Sequence, residues 1–259
     1  MKHIRHMKRT LFSLTVAAAI AAGTAALIGS HEPAVAADAS RPTVVELFTS
    51  QSCYSCPPAE EYLGELANRK DLIALEYHVD YWDDLVYGRA GKWKDRFSKR
   101  EYTDRQRGYA GRLPKGQVYT PQMVIDGRAF EVGSRRGAVR RTLKRVAKER
   151  SERLDVQVTP AAAGLAVSVT GEAKPGGGIW FVRFIRKQTT RVLRGENHGK
   201  TLTNFNIVTE LKRIGDWAGA PVSVTLPAGL ADGQGCAILV QGENHGPIKG
   251  AAACPNPSS

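Results

Sequence analysis

The sequence predicts an α/β domain carrying a helical insertion, followed by an all-β, sandwich-like domain. Three observations predict it. An apolar, β-branched run leads into a Cys-x-x-Cys pair and then a helical pattern. A second strand pattern follows that helix. Beyond residue 151 the chain turns to short alternating strands punctuated by Gly and Pro clusters.

The chain opens with Lys2, Arg5, Lys8 and Arg9, continues with the apolar run Leu11 to Ile28, and then presents Ala34-Val35-Ala36. A basic start, an apolar stretch and a small-residue site read as a secretory signal peptide over 1–36, cleaved near Ala36. The rival reading is an uncleaved membrane anchor; the Ala, Gly and Thr content and the A-x-A site weigh against it. The expected location is the periplasm or the exterior. Loss of four Lys/Arg and one Glu then lowers the net charge from +12 to +9. Such a charge suits peripheral contact with anionic membranes. No nucleic-acid motif accompanies it, so nucleic acid is not an expected partner.

The first strand is Val44-Val45-Glu46-Leu47-Phe48, and the turn after it delivers Cys53-Tyr54-Ser55-Cys56 just before Pro57-Pro58. Ala59, Tyr62, Leu63 and Leu66 then fall at helical spacing. Free N–H groups and the dipole at a helix start favour a thiolate, which makes Cys53 the expected reactive thiol. In an oxidising compartment the four cysteines pair, most simply Cys53–Cys56 and Cys236–Cys254. A closed zinc site needs four ligands. Cys236 and Cys254 are 18 residues apart and far from the first pair, so zinc-ribbon spacing is missing. Redox exchange, metal handling and a purely structural disulfide stay open for Cys53–Cys56.

Leu72 to Trp82 reads as the second strand, completing a strand–helix–strand unit with a parallel pair. Residues 83–113 are polar and partly helical, with Trp93, Phe97, Tyr102 and Tyr109 as anchors of an insertion. Val118 to Gly127 and Phe130 to Val132 form a hairpin turning at Asp126-Gly127. A basic helix runs from Arg135 to about Glu152, with Ala138, Leu143 and Val146 on one face. This spans the first domain, 42–151.

The second domain, 152–259, is read from strands at Leu154–Val158, Leu165–Val169, Ile179–Ile185, Ile207–Leu211, Val222–Leu226 and Cys236–Gln241. Within it Gly195-Glu196-Asn197-His198-Gly199 recurs as Gly242-Glu243-Asn244-His245-Gly246. The repeat reads either as a duplicated tight turn or as a metal site gathering His198, His245, Glu196 and Glu243.

The element order of the first domain resembles that of thioredoxin. By that resemblance Pro121 is a cis-proline opposite the cysteines and the backbone of Thr120 binds an extended substrate. Glu46 is the acid in the strand before the pair, relaying a proton to or from Cys56. Over nearly all the mature chain the sequence also resembles a secreted bacterial family, domain of unknown function 1223. That likeness rests on VVELFTSQSCYSCPPAE, YHVDYWDDL, EYTDRQRGYA, VYTPQMVIDG, RGENHGKTLTNFNIV and GPIKGAA. The signature residues His78, Asp80, Trp82 and Asp83 come without an assigned role; His78, at a strand end, is read as a thiolate-stabilising group or a metal ligand, and the two aspartates as anchors of the insertion.

The expected function is thus an exported thiol–disulfide oxidoreductase. It attacks with Cys53, resolves with Cys56 and acts on protein thiols or disulfides with a separate redox partner. It needs no cofactor. The alternative is a copper-binding, metallochaperone-type module using Cys53, Cys56 and His78, since thiolates suit Cu(I).

Overall fold

A computed structural model describes residues 41–85, 92–149, 153–227 and 229–255. The leader expected over 1–36 lies outside the described residues. Among the described residues no helix is long and apolar enough to cross a membrane.

Among the described residues eleven strands and three helices follow one another. They are β1 (Thr43–Thr49), α1 (Pro57–Ala67), β2 (Leu72–His78), α2 (Arg100–Arg112), β3 (Gln122–Ile125), β4 (Ala129–Val132) and α3 (Arg136–Glu149). Then come β5 (Arg153–Ala161), β6 (Gly164–Glu172), β7 (Gly178–Arg191), β8 (Thr201–Asp216), β9 (Val222–Leu226), β10 (Gln234–Gln241) and β11 (Ile248–Ala253). Eight of the strands form one mixed sheet in the order β11-β10-β7-β8-β2-β1-β3-β4, and β5-β6-β9 form a second.

This corrects the expected fold class. The described residues are 44% strand and 19% helix, organised on one large mixed sheet, and do not form an α/β thioredoxin-like fold. Strands from both sides of residue 151 share that sheet, joined where β8 pairs in parallel with β2 at Glu76↔Ile207. The reason lies in β2. All seven of its residues are buried, so both of its edges need a partner strand; β1 covers one and β8 the other. Thr201–Asn206 carries two asparagines, residues depleted in strands, and had not suggested a strand. Here the asparagines stitch the seam. Asn204 Nδ2 donates to Glu76 Oε1 at 2.7 Å, and Asn206 Nδ2 to the Ala74 carbonyl at 2.9 Å. Gly64 of α1 lets the Phe205 ring close on the helix, since a Cβ there would lie 2.7 Å from ring carbons.

Period-2 alternation sorts β1 and β2 between two cores. Val44, Phe48, Ile73, Leu75 and Tyr77 face α2, packing with Tyr102 and Tyr109. Val45, Leu47, Leu72 and Ala74 face α1 and α3, packing with Leu63, Leu66, Val139 and Leu143. The small sheet β5-β6-β9 packs over β7 and β10 of the large one through Val156, Val167, Ile179, Phe181, Ile238 and Val240.

Candidate functional site

Ser50–Cys56 turns tightly from β1 into α1, with Cys53 N–H donating to the Ser50 carbonyl (3.0 Å) and Cys56 N–H to the Cys53 carbonyl (3.2 Å). Cys53 and Cys56 are joined as a disulfide. Cys56 is the N-cap of α1, with prolines at the next two positions. Those prolines have no N–H, and the N–H groups of Ala59 and Glu60 already bond the Cys56 carbonyl at 2.8 and 3.2 Å. The free helix-start donors expected for a thiolate are therefore absent here, and the polar atom at the sulfur is Ser55 Oγ, 3.4 Å from Cys53 Sγ.

Both half-cystines are 0% exposed, although Tyr54 between them is 66% exposed. The first Gly-Glu-Asn-His-Gly turn docks on this loop. Asn197 Nδ2 donates to the carbonyls of Gln51 and Cys53, both at 2.9 Å, and Glu196 Oε2 accepts the Tyr54 N–H at 2.8 Å. Lys200 Nζ stands 4.3 Å from the Tyr54 ring centroid and donates to Asn197 Oδ1 at 2.9 Å. Gly195 and Gly199, at φ +75° and +81°, bracket the turn.

Beneath the loop, on the α1 face, lies a buried charge network. His78 is fully buried, with Nδ1 2.6 Å from Asp95 Oδ2 and Nε2 2.9 Å from Glu76 Oε1. Burial disfavours the imidazolium, but the two carboxylates outweigh it and hold the His78 pKa well above its ordinary value. Burial likewise works against ionised Asp95, yet His78 draws its pKa below the usual carboxylate value. Asp95 also accepts the Gln51 N–H at 2.8 Å, tying the insertion to the cysteine loop. Glu60, one turn along α1 from Cys56, is 1% exposed and accepts the Thr49 hydroxyl at 2.7 Å. Burial first, and the nearby Glu76 charge second, push its pKa up to about 8.

Glu46 does not belong to this network. Alternation puts it on the α2 face, where Arg105 Nε donates to it at 2.7 Å and Tyr109 donates a short hydrogen bond. The buried acid on the α1 side is Glu60. The i, i+4 spacing of Cys56 and Glu60 is the sequence signal for it.

The Thr120–Pro121 bond is cis. Because Phe48 pairs with Gln122 in the antiparallel β1–β3 ladder, Pro121 comes level with the end of β1, where the cysteine loop starts. The Thr120 hydroxyl accepts Trp82 Nε1–H at 2.8 Å. The other signature residues hold the insertion: Asp80 accepts the Thr103 hydroxyl of α2 at 2.5 Å, and Asp83 Oδ1 accepts the Asp95 N–H at 3.0 Å.

The metal readings find little support in this geometry. His78 presents both ring nitrogens to carboxylates and has no lone pair to offer beside Cys53 and Cys56. The two pentapeptide turns do not meet: the first lies on the cysteine loop, and in the second the His245 ring lies 5.8 Å from that of Tyr109 on α2. Among the described residues no group of three or more His, Cys, Asp or Glu side chains could hold a metal ion. Cys236 and Cys254 form the second disulfide, tying β10 to the end of β11.

Two solved structures are similar. A protein of Agrobacterium tumefaciens, determined by X-ray crystallography, aligns with a TM-score of 0.68 and 29% identity over 84% of this chain and 96% of its own. HBP35 of Porphyromonas gingivalis aligns with a TM-score of 0.54 and 13% identity over 83% of this chain and 74% of its own, a likeness of fold alone. No curated protein matches the chain. The model of the family described as "Protein of unknown function (DUF1223)" matches residues 44–241, and the chain belongs to that family.

Proposed function

We propose that the protein is an exported thiol–disulfide oxidoreductase acting on polypeptide substrates through Cys53 and Cys56. The observation that carries this reading is a disulfide closed across two residues at the start of α1, with a buried carboxyl, Glu60, one turn along the helix. In the reducing direction the Cys53 thiolate attacks a substrate disulfide, forming a mixed disulfide and expelling one substrate thiolate. Cys56 then attacks Cys53 Sγ, closing the Cys53–Cys56 bond and releasing the second substrate thiolate. Two electrons pass from the pair to the substrate. Glu60, in its carboxylate form, takes the Cys56 proton as that thiol becomes a nucleophile. The reverse sequence oxidises a substrate dithiol and returns the proton.

A polypeptide substrate is favoured by where the molecule leaves apolar surface. The exposed large apolar side chains among the described residues are Tyr54, Leu85, Val118 and Leu193. They sit in the cysteine loop, after Trp82, before Thr120-Pro121 and before the Gly195–Gly199 turn, on segments linked to one another by the Trp82–Thr120 and Asn197–Cys53 hydrogen bonds.

Equilibration of the full protein with glutathione buffers, read by thiol alkylation and mass, tests the reading with Cys53→Ser as control. The expected result is a two-electron transition between about −270 and −120 mV, the span of catalytic dithiols. A pair still oxidised below about −300 mV is a structural staple, and that result ends the oxidoreductase reading.

A further inference from the structure

A second recess lies away from the disulfide, on the α2 face. It is an open cleft of about 620 Å³ between α2, the first residues of β7, Arg213 of β8 and the Gly242–Gly246 turn. That volume is typical of small-molecule sites. Glycines make it. Gly111 on α2 has nothing within 4 Å of where a Cβ would stand, and at Gly178 a Cβ would come 2.7 Å from Trp180 Nε1 and 3.2 Å from Arg213 Nε. Trp180 and Arg213 are cross-strand neighbours in the β7–β8 ladder. An indole and a guanidinium therefore line the cleft side by side, with Arg112 across from them on α2.

The charges there are unevenly satisfied. Arg105 at the cleft's inner end is committed to Glu46. Arg213 pairs with Asp216 at 2.6 Å and reaches Glu243 of the turn only at 3.8 Å. Arg112 has no ion pair or side-chain hydrogen bond among the described residues. Its place in the last turn of α2 offsets the helix's negative end, but that leaves its planar donor fork unused. The turn itself is the β10–β11 hairpin, with Asn244 and His245 both left-handed at φ +51° and +57°. Two left-handed residues suit a hairpin turn, and they set Glu243 at the cleft rim. In the first copy of the pentapeptide the corresponding Glu196 is engaged by a backbone N–H; Glu243 makes no such bond and stays exposed.

We propose that this cleft is a binding site for a small molecule carrying an oxyanion on a flat apolar ring, an aryl phosphate or aryl carboxylate. The oxyanion is held by the fork of Arg112 and by the outer edge of Arg213, whose Nε side stays on Asp216, and the ring lies along Trp180. Glu243 competes with the ligand for Arg213. The site is independent of the redox proposal and stands or falls without it.

The test is a fluorescence titration of the full protein with phenyl phosphate, benzoate and inorganic phosphate as probes. Saturable binding of phenyl phosphate or benzoate is expected, at least fivefold tighter than inorganic phosphate, and the stronger of the two arms identifies the anion. Arg112→Ala should weaken it about tenfold or more, Glu243→Gln should tighten it, and Trp180→Phe should remove the signal. Lys212→Ala, which removes the same charge beside Arg213 on the same strand, should change affinity less than twofold. Absence of saturation, equal affinity for inorganic phosphate, or equal losses in Arg112→Ala and Lys212→Ala overturns the proposal. Far-UV circular dichroism of each variant confirms that losses arise in a folded chain.

Discussion

Asn197→Ala is the most informative single change, because the redox reading requires a buried disulfide to become reachable. Asn197 is itself fully buried, and its amide closes the turn over the cysteine loop with two hydrogen bonds of 2.9 Å to the Gln51 and Cys53 carbonyls. Each such bond contributes about 0.5–1.5 kcal/mol net, and a buried acceptor left unpaired costs about 1–3 kcal/mol. Losing both therefore weakens closure by roughly 2–4 kcal/mol. At about 1.4 kcal/mol per decade, that raises the open population roughly 30- to 1000-fold. The assay is the rate of reduction of Cys53–Cys56 by excess dithiothreitol, sampled by alkylation and peptide mass. Two internal references make it decisive. Asn244→Ala alters the twin residue, which is exposed and has no side-chain hydrogen bond among the described residues, and should leave the rate within twofold. Cys236–Cys254 should be reduced at an unchanged rate in both variants. A wild-type rate in Asn197→Ala would show that the turn does not control access. Equal acceleration of both disulfides would mean general loosening, and either result refutes the argument.

The remaining predictions concern the two buried acids. Glu60 has an ordinary pKa of 4.5 in the unfolded chain and about 8 when folded. Between those values the native state keeps a proton that the unfolded state has lost, so stability falls as pH rises, by at most ~1.4 kcal/mol per pH unit. His78, with its pKa raised above 6.5, adds a loss of the same sign above that pH. Urea midpoints should therefore fall from pH 5 to pH 8. Glu60→Gln should flatten the part below pH 6.5 and leave the His78 part; an unchanged slope would remove Glu60 from the account. On the other face, Arg105→Met strands Glu46 without its guanidinium and should cost about 3–5 kcal/mol, while adding Glu46→Leu should recover most of it. Equal denaturant midpoints for the single and double variants would contradict a buried pair.

What could be read from the sequence follows how local the determinants are. The cysteine loop, the first helix, the parallel β1–β2 pair and the Asp126-Gly127 hairpin each depend on neighbours within about 40 residues, and their patterns are visible in that span. The joining of the two halves is not local. It depends on the Glu76 carboxylate meeting the Asn204 amide and the Phe205 N–H, and the polarity of a Glu and an Asn argues against a buried strand until the two are seen together. The same holds for the pentapeptides. Their identity suggests a common role, but Asn197 is buried against the Gln51 and Cys53 carbonyls while Asn244 sits exposed and left-handed in a hairpin turn, and neither setting can be found from the five residues themselves.

The parity of β1 places Glu46 on the α2 face, away from α1 and its Glu60. A strand offers its side chains to alternate faces, so Glu46 is separated from α1 by the sheet whatever its distance along the chain. A helix returns to the same side after about four residues, so Glu60 lies one turn from Cys56, bonded to Thr49 and close to the Glu76, His78 and Asp95 charges. Each acid then meets a different environment. Glu46 faces a permanent cation, Arg105, which holds it as one half of an ion pair fixing α2 to the sheet. Glu60 faces two other carboxylates and a hydroxyl, with His78 as the nearby counter-charge already shared between Glu76 and Asp95. A carboxyl in that company has its pKa pushed up to about 8, by burial first and the Glu76 charge second. The proposed exchange thus draws on the α1 face, while the proposed anion cleft lies on the α2 face, beside the Arg105–Glu46 pair.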